Sequence, residues 1–189
     1  MNAPQELPSV RARLRAATHD IHQALHRAAP FAAIADGVAT LESYGATLMF
    51  LHRFHSALSP LCKRGAQALG APQLADAHVR RVAALESDLA YVGLKAGTPG
   101  SSVQVRGDAF CIGALYTVQG STLGGKLIYR QLDALLPDAS GRAFFKGSPE
   151  DSRDWQALCA ALESYAGEQA EMETGALQAF GWFQDMSEK

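Results

Sequence analysis

Gly120-Ser121-Thr122-Leu123-Gly124-Gly125 lies inside a segment, Asp108 to Leu136, that otherwise reads as helix. A glycine in a helix interior costs roughly 1 kcal/mol relative to alanine, so Gly113, Gly120, Gly124 and Gly125 together forgo about 4 kcal/mol. A marginally stable domain carries such a cost only against a gain elsewhere. At about 100° per residue, Gly113, Thr117, Gly120 and Gly124 fall on one narrow stripe. A face so bare of side chains lets a partner touch the backbone itself. Either another helix or a flat ligand can lie there, and the choice between them decides the function.

Outward from that stripe, the rest of the chain also reads as helix. Ser9 caps a predicted helix reaching Ala28, with Leu14, Ala17, Ile21 and Leu25 on its apolar face and Pro30 at its end. Residues 40–69 carry Leu41, Tyr44, Leu48, Leu51, Phe54 or His55, Leu58 and Leu61 at helical spacing, with a kink or break predicted at Pro60. Residues 73–94 follow with Val79, Val82, Leu85, Leu89 and Val92, and Gly97 to Ser102 is a loop. Beyond Pro137 and Phe144-Phe145, one last helix is predicted from Glu150 to Phe180, bearing Trp155, Leu158, Leu162, Tyr165, Met172 and Ala176. There is no strand-like alternation, internal repeat or linker. The expectation is an all-α, single-domain bundle of roughly six to nine helices, with a loose leader over residues 1–8 and the helical domain over 9–189.

Composition narrows the function classes. The chain has 189 residues, 48% hydrophobic and 19% charged, enough to bury a core without staples. A net charge of −2 gives no footprint for nucleic acid. No apolar run reaches membrane-spanning length and no signal segment opens the chain, so a cytoplasmic location is expected. Cys62, Cys111 and Cys159 show no C-x-x-C spacing and read as buried, reduced thiols.

All six histidines, His19, His22, His26, His52, His55 and His78, fall in the first 78 residues. His22 lies about 80° from Leu14 around the first helix, at the edge of its apolar face, with His19 and His26 turned further out. His22 and His26 have zinc-pair spacing but lack the H-E-x-x-H order, and no Glu-x-x-His serves a di-iron site. Gly120 to Lys126 matches G-x-x-x-x-G-K, but Leu127 stands where a phosphate loop needs a hydroxyl for magnesium. A histidine on one helix and a shaved face on another together suit a haem held between them. Arg15, about two turns before His22 on the same side, is placed to meet a propionate.

Leu14-Arg15-Ala16-Ala17-Thr18-His19-Asp20-Ile21-His22 resembles the N-terminal L-[KR]-x-x-T-x-x-x-H segment of the biliverdin-producing haem oxygenases, especially bacterial ones associated with phytochromes. Gly120 to Gly125 is similar to that family's kinked distal helix. The resemblance implies His22 as the axial iron ligand and Arg15, Thr18, Gly120, Gly124 and Gly125 as haem-binding positions, with Gly120, Ser121 and Gly124 at the catalytic face. Ser121 stands where many members carry an aspartate that orders a water network; serine can order water but holds no charge. Haem is then both cofactor and substrate, opened with O2 to biliverdin, carbon monoxide and ferrous iron. No flavin or dinucleotide fingerprint is present, so electrons come from an external ferredoxin or NAD(P)H-dependent reductase, and a bacteriophytochrome is the implied biliverdin acceptor. Two other classes fit less of the chain: a non-catalytic haem carrier or sensor on the same fold, and a helical vitamin-processing hydrolase using a cysteine. Nothing local to the three cysteines signals an activated thiolate.

Overall fold

The computed structural model describes residues 8–25, 31–97, 103–138 and 140–187. Leader residues 1–7, His26, Pro30 and loop residues 98–102 lie outside them. Ten helices are present among the described residues: α1 Val10–Ala17, α2 His19–Leu25, α3 Ala32–Ala35, α4 Leu41–Ala68, α5 Gln73–Tyr91, α6 Asp108–Gly120, α7 Thr122–Gln131, α8 Ala143–Lys146, α9 Asp151–Ser164 and α10 Gln169–Ser187. No strand occurs among these residues.

Helix α6 is the axis of the bundle. Every residue from Ala109 to Gln119 is buried, because α4 and α10 press on it from different sides. Glycines let them in. A Cβ on Gly65 of α4 would stand 2.6 Å from the Cys111 carbonyl oxygen. A Cβ on Gly113 would collide with the Met172 carbonyl of α10, and one on Gly175 with the Phe110 carbonyl. The α6–α10 crossing is therefore backbone against backbone, with Thr117 Oγ1 donating to the Ala176 carbonyl at 3.1 Å. Around it lies one core that includes Leu14, Leu58, Leu61, Ile112, Leu115, Leu158 and Met172. A second, with Ile34, Tyr44, Leu48, Leu85, Leu89, Phe144 and Phe145, joins α4, α5 and α8.

The helical class is as read from the sequence, but several long patterns are divided. The first helix breaks at Thr18, whose backbone N–H and hydroxyl both donate to the Leu14 carbonyl, the latter at 2.8 Å. A threonine that satisfies the last turn in this way marks the end of one helix before the next begins. The last pattern divides at Tyr165, extended at φ −80° and ψ 117°, into α9 and α10. The glycine-bearing segment divides at Ser121.

Pro60, by contrast, breaks nothing. Helix α4 runs through it, buried on both flanks by Leu58 and Leu61. A proline opens the turn before it and frees carbonyls there. The carbonyl left without a helical donor is that of Ser56, four residues back; one residue earlier the His55 carbonyl receives the Ser59 hydroxyl at 3.1 Å and His78 Nε2 at 3.1 Å. Val79, expected on the apolar face of α5, is 65% exposed instead. The neighbouring His78 takes the inward position.

Candidate functional site

The glycine stripe is two surfaces, not one. Gly113 and Thr117 belong to the crossing with α10. Past the bend at Ser121 the stripe leaves the core. A Cβ on Gly120 would touch only the Trp155 ring at 3.6 Å, and nothing among the described residues lies within 4 Å of one on Gly124. Gly125 turns the other way, where a Cβ would stand 3.0 Å from the Phe145 carbonyl oxygen of α8. Helix α7 buries none of its ten residues, and Leu123 and Leu127 are 60% and 64% exposed. Leu123 and Leu127 share a face at i and i+4, with Gly124 at its edge, so an apolar strip bordered by a bare position is presented outward.

Arg11, Ala12, Arg15, Ala16 and His19, along α1 and the start of α2, line an open surface depression of about 310 Å³. Tyr116, one turn before Gly120, packs its ring 5.6 Å from Trp155 of α9. Its hydroxyl is pushed up by burial and by Cys159, while the charges of Arg11 and Arg15 pull it down, so α1, α6 and α9 meet here. Arg11 Nη1 lies 3.9 Å from Cys159 Sγ. Tyr116, Trp155 and Arg11 were not singled out as site residues by sequence reasoning. The one available signal was Tyr116 at i−4 from Gly120, which reads equally well as core.

His22 is exposed on α2, further out than the core-edge position expected. Its ring meets the Phe180 ring of α10 edge-on, centroids 6.0 Å apart. Thr18 is buried with its hydroxyl committed to Leu14, so it shapes the step between Arg15 and His22. Ser121 Oγ donates to the Val118 carbonyl at 2.7 Å and keeps its own lone pairs for an incoming donor. The structure thus gathers Arg15, Tyr116, Trp155 and Gly120 in one neighbourhood, with Gly124 continuing from it along α7. His22 is held by α2 and α10.

The cysteines are placed for packing. Cys62 and Cys111 are buried, and burial raises both thiols. Cys159 is half-buried, not fully buried as expected. Among the described residues no three His, Cys, Asp or Glu side chains converge as a metal cage, and no helix is long and apolar enough to cross a membrane.

The family model described as Heme oxygenase matches residues 9–98. No curated protein sequence matches the chain. Among solved structures, the NO- and CO-bound heme oxygenase of Neisseria meningitidis is 22% identical, with TM-score 0.75 over 96% of this chain and 91% of that one. The heme oxygenase of Leptospira interrogans is 18% identical, with TM-score 0.76 over 95% of this chain and 98% of that one. At these identities the structures establish the fold. Residues 9–98 match the heme oxygenase family model, and nearly the whole chain takes the helical fold of these bacterial heme oxygenases.

Proposed function

We propose that this enzyme binds one haem between α2 and the α6–α7 bend and cleaves it to biliverdin, carbon monoxide and ferrous iron. The observation that carries the reading is α7: a helix with exposed Leu123 and Leu127 beside an open Gly124, burying none of its own residues. A helix in a packed domain that leaves its apolar strip uncovered is a surface made for something flat and apolar. The surrounding side chains fit a haem. His22 offers an imidazole, the usual axial donor of oxygen-handling haem proteins. Arg15 and Arg11 offer guanidinium groups to the two carboxylates, and the Tyr116 hydroxyl beside them is a further donor.

Bound there, haem supplies both the oxygen-activating iron and the porphyrin that is opened. The protein's own work is placement. Gly120 and Gly124 would admit a flat ligand to close range of the backbone, with no side chain of their own in the way. Gly125 seats α7, which carries Gly124, and His22 on α2 would supply the imidazole. Ser121 Oγ, anchored on the Val118 carbonyl, can accept from a water and hold it over the distal face, where a proton must be delivered. Electrons come from an external ferredoxin or NAD(P)H-dependent reductase, and a bacteriophytochrome is the acceptor that the sequence resemblance suggests for the product.

Reconstitution tests this directly. The purified protein, titrated with haemin and supplied with reductant and oxygen, should lose its Soret band as biliverdin absorbance rises. A Soret band that persists through many reduction cycles would mean a haem carrier on the same fold.

A further inference from the structure

The residue that holds the bare face of α7 in place lies far from it in sequence, on α5. Asp88 is 1% exposed, and both its carboxylate oxygens are spent on backbone. Oδ1 accepts from Ala143 N at 2.7 Å and Oδ2 from Phe144 N at 2.9 Å. These two amides open α8, a single turn too short to be stable alone. Tyr44 of α4 adds a bond from its hydroxyl to the Gly141 carbonyl at 2.7 Å, and the Arg81 guanidinium lies 4.4 Å over the Phe144 ring.

What α8 does with this anchorage is grip α7 at two points. The Phe145 carbonyl sits under Gly125, close enough that a Cβ there would stand 3.0 Å away. Arg142, 3% exposed, donates Nη1 to the Tyr129 carbonyl at 2.7 Å, pairs with Asp133, and stacks its guanidinium 4.2 Å from the Tyr129 ring. Helix α7 buries none of its own residues, and besides α8 it rests on α3 and its junction with α6. Its position is set by the turn beneath it.

We propose that Asp88 is a positioning residue for the haem face: by fixing the amides of Ala143 and Phe144 it fixes α8, and through Phe145 and Arg142 the height of α7 and its Gly124 over the ligand. This rests on the haem reading above, but its mechanical half does not. Burial raises the Asp88 carboxyl, and the two amide bonds offset only part of that rise.

Amide hydrogen exchange on the haem-free protein separates the two halves. In Asp88→Ala, residues 143–147 and 122–131 should lose protection together by at least about tenfold, the scale of one lost charge-assisted bond, with residues 108–119 unchanged. Gly125→Ala, which pushes on the same contact from the opposite side, should loosen 122–131 as well. In the haem-loaded ferrous protein, Asp88→Ala should shift or broaden the stretching band of bound carbon monoxide, while the histidine-ligated spectrum stays. Loss of protection at 143–147 alone, or an equal loss throughout the chain, overturns the proposal. If the parent protein takes up no haem, the functional reading falls, yet the exchange pattern still decides whether Asp88 positions α7.

Discussion

On the proposed function His22 and Ser121 carry the chemistry, and the structure gives each a distinct way to fail. His22 is exposed and touches the bundle edge-on through Phe180, so His22→Ala should change the melting temperature by no more than a few degrees, equivalent to about 1 kcal/mol or less. It should abolish the histidine-ligated ferric spectrum. A spectrum that survives His22→Ala but not His19→Ala would move the ligand to His19. Ser121 already spends its hydrogen on the Val118 carbonyl, which leaves it an acceptor and not an acid. Ser121→Ala should slow turnover several-fold, about 1 kcal/mol in barrier terms, because other groups can order a water. Turnover with saturating reductant is the measurement; a complete stop with haem still bound would give the serine a larger part.

At the scale of elements, one stripe of small residues serves two purposes, and substitution tells them apart. Gly113→Ala drives a methyl into the Met172 carbonyl and should cost about 1–3 kcal/mol or more in thermal or urea unfolding. Gly124→Ala meets nothing and should leave stability unchanged or raise it by up to about 1 kcal/mol. Gly124→Leu should keep the fold and weaken haem binding. Equal destabilisation at both positions would return the whole stripe to helix packing. The helical class and the key stretch at 120–125 were legible in the sequence, because period and glycine placement are local signals. What escaped it was non-local. The break at Thr18 depends on a threonine turning onto its own helix, and α4 runs on through Pro60 inside a packed core. The parting of Gly124 and Gly125 depends on a helical turn, α8, twenty residues on.

For the whole molecule, acidity acts through histidines that were not singled out for any role. His55 and His78 are buried between α4 and α5, ring centroids 5.6 Å apart, with the Arg81 guanidinium and the Phe144 ring beside them and His52 on the outer side. Burial holds the His55 imidazole well below its usual range and takes His78 down to about 4, with Arg81 adding repulsion to both. The unfolded chain takes up these protons near pH 6.5 while the folded one refuses them, so stability falls as pH drops from about 6.5 toward 4. Each such histidine contributes up to about 1.4 kcal/mol per pH unit. Asp88, whose carboxyl is raised, works in the opposite sense and offsets part of this. Urea midpoints across that range should decline, and His78→Gln should flatten the decline; a flat profile in the parent would contradict the burial. A different consequence follows from how α1 is tied down. The amides of Val10 and Arg11 are met by Glu163, at 2.9 and 3.1 Å, and Arg13 is paired with Glu173. During synthesis the first helix therefore emerges long before its partners do. It waits for nearly the entire chain before it can be seated, so a nascent polypeptide stopped short of α9 would carry His22 yet have no pocket in which to use it.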